Sequence, residues 1–124
     1  MNKKFALIIE DEPDLATIFS EALKAADFET EIIKDGKLAA QRLADVMPDV
    51  VVLDLHLPHV SGRELLRQIR EDERLAKTRV LIATADASMA EMLQNEADLV
   101  LLKPISFVQL RIMAERLGLA ASQS

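Results

Sequence analysis

Asp49-Val50-Val51-Val52-Leu53-Asp54 is the stretch that most narrows what this chain can become. It is apolar at every position between two acids. A strand with one face in water alternates apolar and polar side chains; this one does not, so it suits a central parallel strand covered on both faces. The covering helices are legible around it. Short apolar runs at 5–9, 28–34, 49–54, 79–84 and 99–102 alternate with longer amphipathic segments. In residues 14–25, Leu15, Ile18, Phe19, Ala22 and Leu23 form the i, i+3, i+4, i+7, i+8 stripe of a helix. Pro13 suits its first position, where a missing N–H costs nothing. Asp35-Gly36 reads as a turn and N-cap for a helix over 36–47, with Leu38, Leu43 and Val46 inward. Ser61 and Glu64 form a capping box ahead of Leu65, Leu66 and Ile69. A short helix over 88–95 carries Met89, Met92 and Leu93. Ser106 caps a last helix through 117, with Phe107, Leu110 and Leu117 in its buried stripe and Gly118 as its stop. Strand and helix thus alternate five times, which predicts an α/β fold: a parallel sheet with helices on both faces and right-handed crossovers. Residues 1–119 read as one domain and 120–124 as a flexible tail or linker stub.

Charge and composition exclude several functions. Of 124 residues, 21 are Asp or Glu and 15 are Lys or Arg, for a net charge of −6. That argues against nonspecific nucleic-acid binding and against an anionic membrane surface, which call for basic patches. No cysteine is present, so there is no disulfide scaffold, thiolate zinc site or Cys nucleophile. The apolar run 5–9 is too short for a signal peptide and ends at Glu10-Asp11. A cytoplasmic protein is expected.

Ligands of open parallel sheets bind beyond the carboxyl ends of the strands. The first predicted strand ends at Glu10-Asp11, the third at Asp54, the fourth at Thr84 and the fifth at Lys103. Three carboxylates crowded together repel, and at least one should take up a proton unless a cation intervenes. Carboxylate oxygens, a backbone carbonyl and waters suit Mg²⁺, which usually bridges carboxylates to a phosphoryl group. Lys103 and Thr84 suit an anionic ligand, and Asp54 can itself be a nucleophile that forms an acyl phosphate.

These segments resemble the receiver domain of bacterial two-component response regulators, with its flavodoxin-like fold. The matching pieces are Leu7-Ile8-Ile9-Glu10-Asp11-Glu12-Pro13, the run from Pro48 to Pro58, Ser61-Gly62, Thr84-Ala85 and Lys103-Pro104, in order over nearly the whole chain. The resemblance implies strand order 2-1-3-4-5. It implies Asp54 as phosphoacceptor, with Mg²⁺ held directly by Asp11, Asp54 and the backbone carbonyl of His56, and through water by Glu10. Thr84 would hydrogen-bond a phosphoryl oxygen, Lys103 would pair with the acyl phosphate, and Lys103-Pro104 would be joined by a cis peptide. The phosphoryl group would come from a sensor histidine kinase or phosphotransfer protein. A separate downstream protein would read the output, unless the chain is a piece of a longer one. No turnover enzyme is implied beyond self-phosphorylation and autodephosphorylation. Val100 stands where the family often has an aromatic residue, so the readout must differ here. Met89, Met92, Ile105, Val108 and Ile112 make a candidate output surface, and Val108 and Ile112 are open to a dimer contact. His56 and Asp86 are candidates for tuning phosphoryl lifetime. His56 and His59 do not form a helical metal pair, because Pro58 lies between them.

Three other functions compete. An aspartate-nucleophile phosphatase would place a second Asp as general acid where His56 stands. A flavin-binding protein needs a phosphate cradle after the first strand, where Glu10-Asp11-Glu12 would repel phosphate. A pseudo-receiver would bind partners without phosphorylation, yet every site residue is present.

Overall fold

The computed structural model describes residues 3–123, and side chains for residues 3–117. Five strands, β1 (Lys4–Ile9), β2 (Phe28–Ile33), β3 (Val50–Asp54), β4 (Arg79–Thr84) and β5 (Leu99–Leu102), pair in parallel in the order β2-β1-β3-β4-β5. The helices between and after them are α1 (Pro13–Ala25), α2 (Gly36–Leu43), α3 (Gly62–Glu71), α4 (Ala87–Leu93) and α5 (Phe107–Gln123). Both the fold class and the strand order are those expected.

Alternate residues along each central strand enter opposite cores. Leu7, Ile9, Val51, Leu53, Val80 and Ile82 pack with Leu43, Leu65, Ile69 and Leu93 of α2, α3 and α4. Ala6, Ile8, Val50, Val52, Leu81 and Ala83 pack with Phe19, Leu23, Leu110 and Ala114 of α1 and α5. This explains why β3 is apolar up to its final residue: all five of its residues, Asp54 included, are buried.

Caps fall where the side chains dictate. Glu12 accepts the N–H groups of Asp14 and Leu15 ahead of Pro13, and Asp35 accepts those of Lys37 and Leu38. Ser61 Oγ accepts the N–H of Glu64, and Ser106 Oγ that of Gln109.

Several expectations of detail are corrected. The stripe on α1 is narrower than its spacing suggested: Ile18 is 41% exposed, while Ala16 and Ser20 are buried. Leu38, expected inward, is 56% exposed, because α2 covers the sheet margin with Ala39 and Leu43. The same helix stops at Leu43 rather than at residue 47. Phe107 is 39% exposed rather than in the buried stripe. The last helix does not stop at Gly118 but continues to Gln123, a glycine inside a helix costing only about 1 kcal/mol. Residues 120–123 of the expected tail are therefore helical, and Ser124 lies outside the described residues. Among the described residues no helix is long and apolar enough to cross a membrane.

Candidate functional site

Strand register assembles the site. Ile9 pairs with Leu53, which sets the next residues, Glu10 and Asp54, side by side at the carboxyl edge. Asp54 pairs with Ala83 and Thr84 with Leu102, so Thr84 and Lys103 stand one step further out on the neighbouring strands. Glu10, Asp11 and Asp54 each bring a carboxylate oxygen within 4.8 Å of the others. Glu10 and Asp54 are buried, at 1% and 3% exposure, whereas Asp11 is exposed. Lys103 Nζ lies 3.0 Å from Glu10 Oε1 and 3.5 Å from Asp54 Oδ1.

Burial pushes the Glu10 carboxyl up to about 7, from 4.5, and the charge of Asp54 adds to the rise. Lys103 and the N–H of Glu12 oppose it without reversing it. The crowding of acids expected from the sequence thus shows as a raised Glu10 carboxyl. Unspent negative charge in a poorly solvated place is what a hard divalent cation relieves, and carboxylate oxygens are the donors such a cation prefers. The residues present therefore fit a divalent cation.

Thr84 is fully buried, and its Oγ1 accepts the N–H of Asp86 at 3.1 Å. Asp86 Oδ1 in turn accepts the N–H groups of Ser88 and Met89 as the N-cap of α4. A chain of hydrogen bonds thus runs from the site to the start of α4, and the Asp86 carboxylate, considered above for phosphoryl lifetime, is engaged as a helix cap. His56 is exposed, and its N–H donates to Asp54 Oδ1 at 3.2 Å. Glu12 turns away to cap α1. Lys103-Pro104 is a cis peptide.

Val100 is half-buried against the core that includes Val80, Ile82 and Leu93. Of the candidate output residues, Met92, Val108 and Ile112 are exposed and Met89 is half-buried. Ile105 is instead 7% exposed and belongs to the core with Leu110 and Ala114. Leu102, at 48% exposure, was not foreseen in this patch. A cavity of about 420 Å³ along α3, lined by Arg63, Leu66, Arg67, Leu93 and Asn95 among others, shares no residue with the carboxyl edge.

Two contacts escaped the sequence. The glycine at 62 brings α3 against β3: a Cβ there would stand 2.4 Å from the Asp54 carbonyl oxygen. His59 Nδ1 meets Asp35 Oδ2, and no local pattern joins residues 24 positions apart.

The response regulator receiver domain family matches residues 6–115. The chain belongs to that family. The receiver domain is 37% identical over 106 residues to the transcriptional regulatory protein TrcR of Mycobacterium tuberculosis, covering 84% of this chain and 41% of that protein. It spans 24% of another relative, the regulatory protein AtoC of Escherichia coli, at 31% identity. Among solved structures it is similar to the chemotaxis response regulator CheY4 of Vibrio cholerae, with TM-score 0.84 and 22% identity over 94% of this chain and 99% of that one. It is also similar to the receiver domain of the sensor histidine kinase PA1611 of Pseudomonas aeruginosa, which holds magnesium in its active site cleft. There the TM-score is 0.83 and the identity 23%, covering 94% of this chain and 98% of that one. The receiver domain shares its fold with both.

Proposed function

We propose that this receiver domain takes a phosphoryl group onto Asp54 from a phosphohistidine of a sensor kinase or phosphotransfer protein. The observation that carries this is the placement of Asp54 Oδ1 3.5 Å from Lys103 Nζ within a carboxylate cluster whose oxygens lie within 4.8 Å of one another. In the transfer an Asp54 carboxylate oxygen forms a bond to phosphorus as the phosphorus–nitrogen bond to the donor imidazole breaks. The electron pair of that bond leaves with the imidazole nitrogen, which then takes a proton. Lys103 attracts the anionic group, and the Thr84 hydroxyl donates to one of its oxygens. Because Thr84 Oγ1 also accepts from Asp86, a move of Thr84 toward the phosphoryl group pulls on the head of α4. Asp11, Asp54 and the His56 carbonyl would hold Mg²⁺ directly, and Glu10 through water. The bound ion would offset negative charge on the phosphoryl oxygens. The domain would not turn over an external substrate, and its signal would be read by a protein partner.

The test is intact-mass analysis after incubation with Mg²⁺ and acetyl phosphate. The protein should gain one phosphoryl mass, and Asp54→Ala should gain none. Equal modification of the variant, or no gain by the unsubstituted protein, overturns this reading.

A further inference from the structure

The segment between β3 and α3 carries His56, and it is held from outside the carboxylate cluster. The N–H of Gly36, the first residue of α2, donates to the Pro58 carbonyl at 3.1 Å. The approach is so close that a Cβ on Gly36 would lie 2.1 Å from the Val60 carbonyl oxygen. At the other end of the loop, the N–H of Gly62 donates to the Leu55 carbonyl at 3.2 Å. Between these two anchors His59 adopts φ 72°, the left-handed region that histidine, like asparagine and aspartate, visits more often than other residues with side chains. That conformation turns its imidazole onto Asp35.

Asp35 divides its two oxygens. Oδ1 accepts the N–H groups of Lys37 and Leu38, at 2.7 and 3.1 Å, and so caps α2. Oδ2 is left for His59 Nδ1. The Asp35 side chain is 24% exposed and that of His59 67%, so this contact lies at the surface. One carboxylate therefore joins a helix end to a loop that no secondary structure holds.

We infer that His59 and Asp35 are positioning residues for a divalent cation, tying the loop that carries the His56 carbonyl to the head of α2. The inference rests on the reading above that such a cation sits among Glu10, Asp11 and Asp54. Neither residue touches that cluster. Their effect is to hold one oxygen donor where the carboxylates already are, so that binding the ion need not order the loop. Partners behind the direct ligands commonly change metal affinity by 10-fold or more when removed.

Two substitutions at one position isolate the side chain from the left-handed backbone. His59→Gly accepts a left-handed φ without cost but loses the contact. His59→Asn also tolerates that φ and still offers an N–H at the same reach. The measurement is calorimetric titration with Mg²⁺ alone, beside urea unfolding followed by far-UV circular dichroism. His59→Gly should weaken Mg²⁺ binding about 10-fold, and His59→Asn should restore most of it. A role confined to stability would move the unfolding midpoint and leave the affinity of the folded protein unchanged. Unchanged affinity in His59→Gly overturns the inference, as does an Asn variant as weak as the Gly variant. If the unsubstituted protein takes up no Mg²⁺, both this inference and the proposed function fall. Uptake that is indifferent to His59 removes this inference alone.

Discussion

At the amino edge of the sheet, the Asp98 carboxylate accepts the N–H of Val80 at 2.7 Å and meets the guanidinium groups of Arg70 and Arg79 at 3.0 and 3.3 Å. At the carboxyl edge, Glu10 and Asp54 share the single ammonium of Lys103. Around Asp98 most polar groups find partners, although Arg79 Nε is buried without one. Arg70 also donates to the carbonyls of Glu96 and Thr78, Thr78 Oγ1 donates to the Pro48 carbonyl, and the Phe5 N–H donates to Asp49 Oδ2. The acids of the carboxyl edge have no such complement. Burial pushes the Asp98 carboxyl up, but the Val80 N–H and the two arginines more than reverse this and leave it below its usual range. Burial also pushes Glu10 up, and there its partners fail to reverse it. The two carboxylates thus end in opposite directions: Glu10 is more deeply buried, lies beside the charge of Asp54 and has fewer donors. The Asp98 carboxylate meets three donors, whereas the acids of the carboxyl edge are left short of positive charge.

The largest expected effect breaks the Asp98 network. Asp98→Ala leaves the Val80 N–H and two guanidinium groups without their acceptor and should cost about 2–3 kcal/mol in urea unfolding, with Mg²⁺ affinity unchanged.

Next comes pH, which should act on the two edges in opposite senses. Folding raises the Glu10 carboxyl from 4.5 to about 7, so the protonated form favours the folded state. That stabilisation is complete below pH 4.5 and lost as pH rises through about 7. Saturating Mg²⁺ should suppress the loss, and Glu10→Gln should remove it. The Asp98 contribution is present above its unfolded value of 3.8 and is lost as the solution is acidified below that. Urea midpoints measured from pH 3 to 8 check both slopes.

Thr78→Val should cost about 1 kcal/mol, because it leaves the Pro48 carbonyl without the 2.7 Å hydrogen bond it now accepts at a buried position. The smallest effect belongs to neither edge. Arg42→Ala, which removes a half-exposed pairing with Glu31, should move the urea midpoint least of all these substitutions.

The carboxyl edge was legible in the sequence and the amino edge was not. Glu10, Asp54, Thr84 and Lys103 each follow directly on an apolar run, so finding the strands was enough to place them together. Asp98, Thr78 and Arg70 carry no such marker. Arg70 reaches Asp98 across 28 positions, and only the finished packing of α3 against β4 and β5 brings them together. Burial on the helices was readable where one flank alone faces the sheet, as for Leu65, Leu66 and Ile69. It failed at Ile18 and Leu38, where apolar spacing continues past the contact that the sheet offers. Helix ends failed where the signal was a lone glycine, since Gly118 does not oblige a helix to stop.

Lys103 and Glu10 meet across 93 positions of chain. During synthesis the acids therefore emerge long before their counter-charge, and a half-made polypeptide holds Glu10, Asp11 and Asp54 with no ammonium to steady them. The last strand acts as a seal of completion. Until β5 docks against β4 and delivers its lysine, the buried carboxylates stand without their counter-charge, so the cluster is complete only with the finished sheet.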